Sequence, residues 1–104
     1  MWSSETAARG SADPLLLILV SLAGGPKHGH AILLDVESFS GLRPGPGTLY
    51  GAIGRLEEDG LIDALPAEGR RRPYRLTPAG HGVLVARLSS LGGTVRAGLE
   101  RVGR

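Results

Sequence analysis

Four apolar runs at helical spacing order this chain, and between the third and the fourth the period shortens to two. The first run, "LLLILVSLA" from Leu15 to Ala23, is apolar nearly all round, which predicts a helix in the middle of a core. Asp13-Pro14 opens it, with Asp as N-cap and Pro at the first helical position. "GGPKHG" reads as a turn. A second helix is predicted from Gly29 to Ser40, with Ile32, Leu33, Val36 and Phe39 facing inward and Gly41 as its stop. "GLRPG" connects to the third, "GPGTLYGAIGRLEEDG", where Pro46 follows Gly45 at the start and Gly60 ends the run. Its apolar stripe is Leu49, Ile53 and Leu56, with Ala52 beside them. "LIDAL", Leu61 to Leu65, alternates as a half-buried strand does, "PAEGRRR" turns, and "PYRL" is a short return strand. "TPAG" starts a last helix that continues towards the C-terminus. Residues 1–12 are small and polar, a flexible N-terminal tail.

Three helices followed by a hairpin is the order of a winged helix-turn-helix. The predicted fold is therefore mainly α: residues 13–76 as the winged unit with a two-stranded wing, and residues 77–104 as a C-terminal dimerisation helix. Helices two and three form the crossed pair, with the third in the major groove of DNA. The last helix carries Leu84, Leu88, Leu91, Val95, Leu99 and Val102 at steps of four, three, four, four and three, nearly a heptad seam. Its first turns, with Val83, are expected to fold back on their own domain. The rest needs a partner, and a homodimer would set two recognition helices roughly 34 Å apart. Gly92-Gly93 and Gly98 weaken this helix and allow a kink or a close crossing.

Helix three carries Gly47, Gly51 and Gly54 on the face away from its apolar stripe. Each interior glycine costs a helix about 1 kcal/mol against alanine. A bare face lets the backbone approach another surface closely. That surface is DNA, or alternatively another protein helix. Free amides near Gly47 and Thr48 make a phosphate site, and Tyr50 and Arg55 flank the face. In the wing, from Pro66 to Arg72, Glu68-Gly69 turns the chain and Arg70, Arg71 and Arg72 follow in succession. Adjacent cations repel unless an anion neutralises them. As a solvated loop they mean little; after a recognition-type helix they point to phosphates or a narrow minor groove. Pro73 lacks a ladder donor, which suits an edge strand.

Composition narrows the class. The 104 residues suit one modest core, and the absence of cysteine excludes disulfides and thiolate metal sites and fits a reducing cytoplasm. The formal charge is only +2, but eleven of twelve basic residues are arginine, Lys27 being the exception. Arginine's planar fork suits phosphates and guanine edges, although an arginine-rich genome gives the same bias. The run at Leu15 is too short to span a bilayer. It also resembles a signal-peptide core ending at Ser21-Leu22-Ala23, but Glu5 and Asp13 against Arg9 give the wrong charge before it. Catalysis finds no support. His28 and His30 point apart on a helix, His81 is remote, and Glu57, Glu58 and Asp59 read as a solvated face. Neither an enzyme, nor a cofactor, nor a metal is expected.

The ordered set "HGHAILLDVE", "GPGTLYGAIGRLEEDGLI" and "GRRRPYRLTPAG", covering Leu15 to Gly82, resembles the PadR family of bacterial transcriptional regulators. The resemblance implies a winged-helix dimer on an operator, usually a repressor, often relieved by a small effector such as a phenolic acid. It matches Thr48 and Tyr50 to the family's groove-facing pair, Gly29 to the glycine opening helix two, and Arg70 to Arg72 to the basic wing. The expected DNA-facing set is then Lys27, His28, Gly29, Gly47, Thr48, Tyr50, Gly51, Arg55, Arg70, Arg71 and Arg72. His30 stands where the family commonly has tyrosine, Ile53 where leucine is usual, and Pro73 where an aromatic is frequent. An effector would sit between helix one and the last helix at the dimer interface. The last helix has no aromatic residue, so stacking there would need Trp2 to fold back. The expected partners are double-stranded operator DNA and a second copy, with no membrane. The competing class is a winged-helix module that binds protein, without an operator.

Overall fold

The structure is a computed structural model that describes residues 13–104; the expected tail, with Trp2, lies outside the described residues. The elements run α1 (Pro14–Ala23), β1 (Lys27–His28), α2 (Gly29–Ser40), α3 (Pro46–Glu58), β2 (Ile62–Ala64), β3 (Pro73–Leu76) and α4 (Pro78–Val102). Together they make a mainly helical winged helix-turn-helix. Among the described residues no helix is long and apolar enough to cross a membrane.

The run at Leu15 forms the central helix. Asp13 accepts from the Leu15 amide at 3.0 Å and starts α1. Leu16, Leu17, Ile18, Leu19, Ser21 and Leu22 are buried, and α1 contacts the three other helices and β3. Around it close Ile32, Leu33 and Val36 from α2, Leu49, Ile53 and Leu56 from α3, Ile62 from β2 and Leu84 from α4. Burial of each large aliphatic side chain is worth about 1.5–3 kcal/mol.

The helix ends follow the sequence chemistry. Gly41 donates to Glu37 O at 2.9 Å and stops α2. At the end of α3, Gly60 takes a left-handed φ of 74°. Its amide reaches Glu57 O at 3.0 Å, and that of Leu61 reaches Leu56 O at 2.9 Å. These are the two bonds of a Schellman motif, which glycine makes without the steric penalty of a Cβ. Thr77 then fixes α4 to this corner. Its Oγ1 accepts from the Gly80 amide at 3.0 Å and donates to Gly60 O at 2.8 Å, while its own amide donates to Leu61 O at 3.1 Å. Gly80 lies so close to the Leu61 carbonyl that no Cβ fits.

Several expectations need correction. The wing sheet has three strands, in the order β1-β3-β2, all antiparallel. The expected turn at Lys27–His28 is therefore a short strand, paired with Tyr74 and Pro73. Pro73 lies in the central strand, not at a free edge. It is tolerated there as the first residue of β3, and its carbonyl accepts from the Leu65 amide at 2.8 Å. Phe39 is 45% exposed. It sits one turn past Val36, where α2 has outrun the close-packed core, and it lines a groove with Leu16, Leu17, Val20, Leu42, Leu88 and Leu91. Helix α4 runs unbroken through Gly92, Gly93 and Gly98. Of its first turns, Leu84 enters the core while Val83 stays 38% exposed, so Leu84 leaves the expected seam.

These contacts give opposite outcomes for two glycine-to-alanine changes. Gly80→Ala forces the backbone of Leu61 or α4 to move and should destabilise by more than about 3 kcal/mol. Gly54→Ala meets open space and should stabilise by up to about 1 kcal/mol. Urea unfolding of the two variants beside the parent measures both; equal effects would refute the corner packing.

Candidate nucleic-acid interface

Helix α3 buries Leu49, Ile53 and Leu56 and turns its other side outward. Around Gly47, Gly51 and Gly54 nothing lies within 4 Å of where a Cβ would be. The bare face therefore packs against no other part of the described chain. Gly45 is the N-cap and makes no side-chain cap bond. The amides of Gly47 and Thr48 thus remain without an intrahelical acceptor, at the positive end of the helix dipole.

Tyr50 leaves this helix half-exposed, and its ring crosses to the start of α2. A Cβ on Gly29 would meet Tyr50 Cε1 at 2.6 Å, Oη at 2.7 Å and Cζ at 2.9 Å. Gly29 is buried. Of the expected DNA-facing set it is therefore the seat for Tyr50. His28 caps α2, its Nδ1 accepting from the Ala31 amide at 3.3 Å.

Lys27 also departs from its expected place. Its Nζ donates to Ser21 O and to Gly25 O and lies 3.8 Å from Asp35 Oδ2. The buried Ser21 hydroxyl donates to the same Asp35 oxygen at 2.7 Å. The ammonium closes the carbonyl end of α1 against α2, so its charge is spent inside the fold.

The wing tip is a tight hairpin. Glu68 N donates to Arg71 O at 2.7 Å and Arg71 N to Glu68 O at 3.1 Å, leaving Gly69 and Arg70 as the two central residues. Gly69 has a φ of 64°, and glycine at the first central position is what a II′ turn requires. Arg72 Nη1 donates to Leu65 O at 3.1 Å, which lays its guanidinium along the wing. Among the described residues, Arg70, Arg71 and Arg72 meet no carboxylate within 4 Å. Arg55, on the outer side of α3, stands 4.0 Å from Asp59, with both side chains largely exposed. Such a pair contributes little and leaves the guanidinium available.

Part of the expected set converges, whereas Lys27, Gly47, Thr48, Gly51 and Arg55 lie outside the hollow it forms. His28, Gly29, His30, Tyr50, Arg70, Arg71, Arg72 and Tyr74 line one concavity of about 200 Å³. Burial pushes the Tyr74 phenol above its ordinary value near 10, helped by the Glu57 carboxylate and by Tyr50 and opposed by Arg72. It therefore remains a neutral donor at physiological pH. A surface of guanidinium, phenol and free amide donors, with little side-chain bulk, is chemically suited to a polyanion. His30 and Tyr74 were not among the expected residues. The pairing of Tyr74 with Lys27 through β1 brings it here, and a strand of two residues leaves no periodic trace in sequence.

Residues 18–86 match the transcriptional regulator PadR-like family. Over 72 residues, 69% of the chain, it is 51% identical to an uncharacterized 37.1 kDa protein in transposon TN4556 of Streptomyces fradiae, of which the match covers 21%. Over 72 residues it is 46% identical to a transcriptional regulator of Mycobacterium tuberculosis, with 66% of each chain covered. The chain thus spans about a fifth of the first curated relative and just under two thirds of the second. A solved transcriptional regulator from Clostridium thermocellum is 26% identical and superposes with a TM-score of 0.75, covering 90% of this chain and 95% of that one. A PadR family transcription regulator from Clostridium difficile has the same fold at 22% identity, with a TM-score of 0.76 and coverage of 86% and 97%. PadR-family members are transcriptional regulators, not enzymes, and the family implies DNA-binding regulation.

The Gly29–Tyr50 contact makes a prediction of its own. Gly29→Ala displaces the free end of a flexible side chain, so stability should fall by less than about 1.5 kcal/mol. The Tyr50 ring resonances should nevertheless shift strongly in NMR spectra. If they stay in place, the ring is not seated on Gly29.

Proposed function

The chain belongs to the transcriptional regulator PadR-like family, and from that premise we propose that it is a repressor that binds a palindromic operator as a homodimer. In this reading residues 13–76 carry the DNA-binding unit and residues 77–104 the dimerisation helix. The observation that carries it is the bare face of Gly47, Gly51 and Gly54 beside a wing whose three arginines have no carboxylate partner among the described residues. Helix α3 enters the major groove, with Thr48, Tyr50, Gly51 and Arg55 nearest the bases. The wing arginines take the flanking phosphates or the minor groove.

Dimerisation is supported by α4. It has 25 residues, about 37 Å at 1.5 Å per residue, yet only Gly80 and Leu84 are buried. Leu88, Val95, Leu99 and Val102 are exposed, and Leu91 is partly covered. A helix weakened by three glycines in its second half does not stand alone on propensity; a second copy packed along this stripe would support it. A small apolar effector fits the groove that Phe39, Leu88 and Leu91 share with α1, where Phe39 supplies the aromatic ring that α4 lacks.

Titration on mixed-sequence and operator-bearing genomic DNA at several salt concentrations tests the DNA reading. Arg70, Arg71 and Arg72 replaced together by alanine should weaken binding to all duplexes and flatten the salt slope by about two to three phosphate units. Tyr50→Ala should mainly reduce discrimination, leaving that slope nearly intact. A parent protein whose affinity does not fall with salt would be a protein-binding module instead.

The oligomer has a separate test. Val95 and Leu99 are 57% and 69% exposed, so glutamate there does not disturb the chain's own core. Val95→Glu with Leu99→Glu buries like charges in the proposed seam. Sedimentation should show monomers at micromolar concentration, with operator affinity lost; a persistent dimer would rule the seam out.

A further inference from the structure

We propose that the concavity between β1, the start of α2, α3 and the wing seats one backbone phosphate of the bound DNA, and that His30 makes this contact proton-linked. The inference rests on the DNA-binding reading above and adds to it a ligand group, a residue and a dependence on pH.

The concavity measures about 200 Å³. A water takes about 30 Å³, so a phosphate group fits there with part of its hydration. The lining is rich in donor-bearing side chains. From the wing come Arg70, Arg71 and Arg72, with the Tyr74 phenol behind them; from α3 comes Tyr50. Carboxylates are absent from the lining. Glu57, the acid whose charge reaches Tyr74, is not part of it. Three arginines and no carboxylate in the lining make an anion the chemical class that suits this hollow.

The two histidines in the wall are not equivalent. His28 is half-buried and uses the Nδ1 lone pair to cap α2. With Nδ1 accepting from the Ala31 amide, Nε2 is the nitrogen of that ring left to donate. His30, two residues on, is exposed, and its imidazole makes no hydrogen bond or ion pair among the described residues. It can gain a proton without losing a partner. A phosphate seated beside it favours the imidazolium, because an opposite charge close by stabilises the charged form. Histidine is the side chain whose charge changes between about pH 5 and 8. The sign follows from linkage. The bound state holds the proton more tightly than the free state, so DNA affinity is greatest below this range and falls to a lower plateau as pH rises through it.

The measurement is fluorescence anisotropy with a labelled mixed-sequence duplex several helical turns long, at constant ionic strength, between about pH 5.5 and 8. A mixed sequence suffices because a phosphate contact carries no sequence information. The parent protein should gain affinity as pH falls, by up to about tenfold per pH unit for one proton. His30→Gln should bind with little dependence on pH, at the parent's high-pH affinity. His30→Lys, charged throughout, should bind at the parent's low-pH affinity across the range. Circular dichroism of the exposed-site variants confirms that they fold. A flat parent profile, or a His30→Gln variant that keeps the parent's slope, overturns the proton linkage while leaving DNA binding intact. Failure of the parent to bind the duplex at low salt at any pH overturns the DNA-binding reading itself.

Discussion

Helix α1 has no face that water would favour. Leu16, Leu17, Ile18, Leu19 and Leu22 point to several sides of a ten-residue helix, and only enclosure removes that apolar surface from solvent. The remaining elements are arranged as its walls. Both of its ends are then tied by polar contacts. Asp13 caps the first turn and meets Arg87 of α4 at 3.2 Å. At the other end the buried Ser21 hydroxyl and the Lys27 ammonium converge on Asp35 of α2. Buried polar groups are costly when unpaired, and no buried side-chain polar atom in the described chain lacks a partner. The core thus fixes the angle of each wall as well as its presence.

That enclosure decides which surfaces are left over. Helix α3 is needed on one side only, so its glycine face is free. Helix α4 gives the core Leu84 and part of Leu91, and the remainder of its stripe runs on past the core. The molecule is elongated, 55 Å against 27 and 21 Å, and α4 alone is about 37 Å long at 1.5 Å per residue. The two free surfaces differ in kind. One is bare backbone beside cations, the other an aliphatic ridge. Polyanions match the first and a second apolar surface matches the second.

Much of this was legible in the chain because it is local. Asp13-Pro14, Gly41, Gly60 and Thr77-Pro78 act through bonds to residues two to five positions away, and each marks the helix end it was expected to mark. What was not legible depends on meetings between distant segments. The destination of Lys27 is set by two carbonyls and a carboxylate that only the folded chain brings together. Strand β1 exists because β3 passes beside it. Phe39 has the right spacing for burial, but the core ends before it. Val83 and Leu84 are neighbours, and only the crossing angle of α4 over α1 selects the second. In the candidate site, the wing arginines and Tyr50 stood out as residues, whereas the contact that aims Tyr50, through the missing side chain of Gly29, did not.

Glycine supplies the clearest separation between what the fold demands and what it does not. Gly80 and Gly29 are fixed by atoms that occupy the space of a Cβ, and Gly60 and Gly69 by backbone angles that favour glycine. Gly47, Gly51 and Gly54 have neither reason. They sit in a regular helix with nothing near them, and Gly51 and Gly54, in its interior, each cost about 1 kcal/mol against alanine. Gly82, Gly92, Gly93 and Gly98 of α4 share this state, so both helices that present a free surface carry the same local conflict, the kind expected where another requirement competes with stability. On α3 the proposed DNA contact supplies such a requirement, since a helix without Cβ atoms on one side brings its backbone nearer to whatever lies opposite. The elements that flank this side, an uncapped helix start, a seated tyrosine and an arginine wing, all present donors. The stability given up on α3 thus falls on the surface whose donors suit an anionic partner.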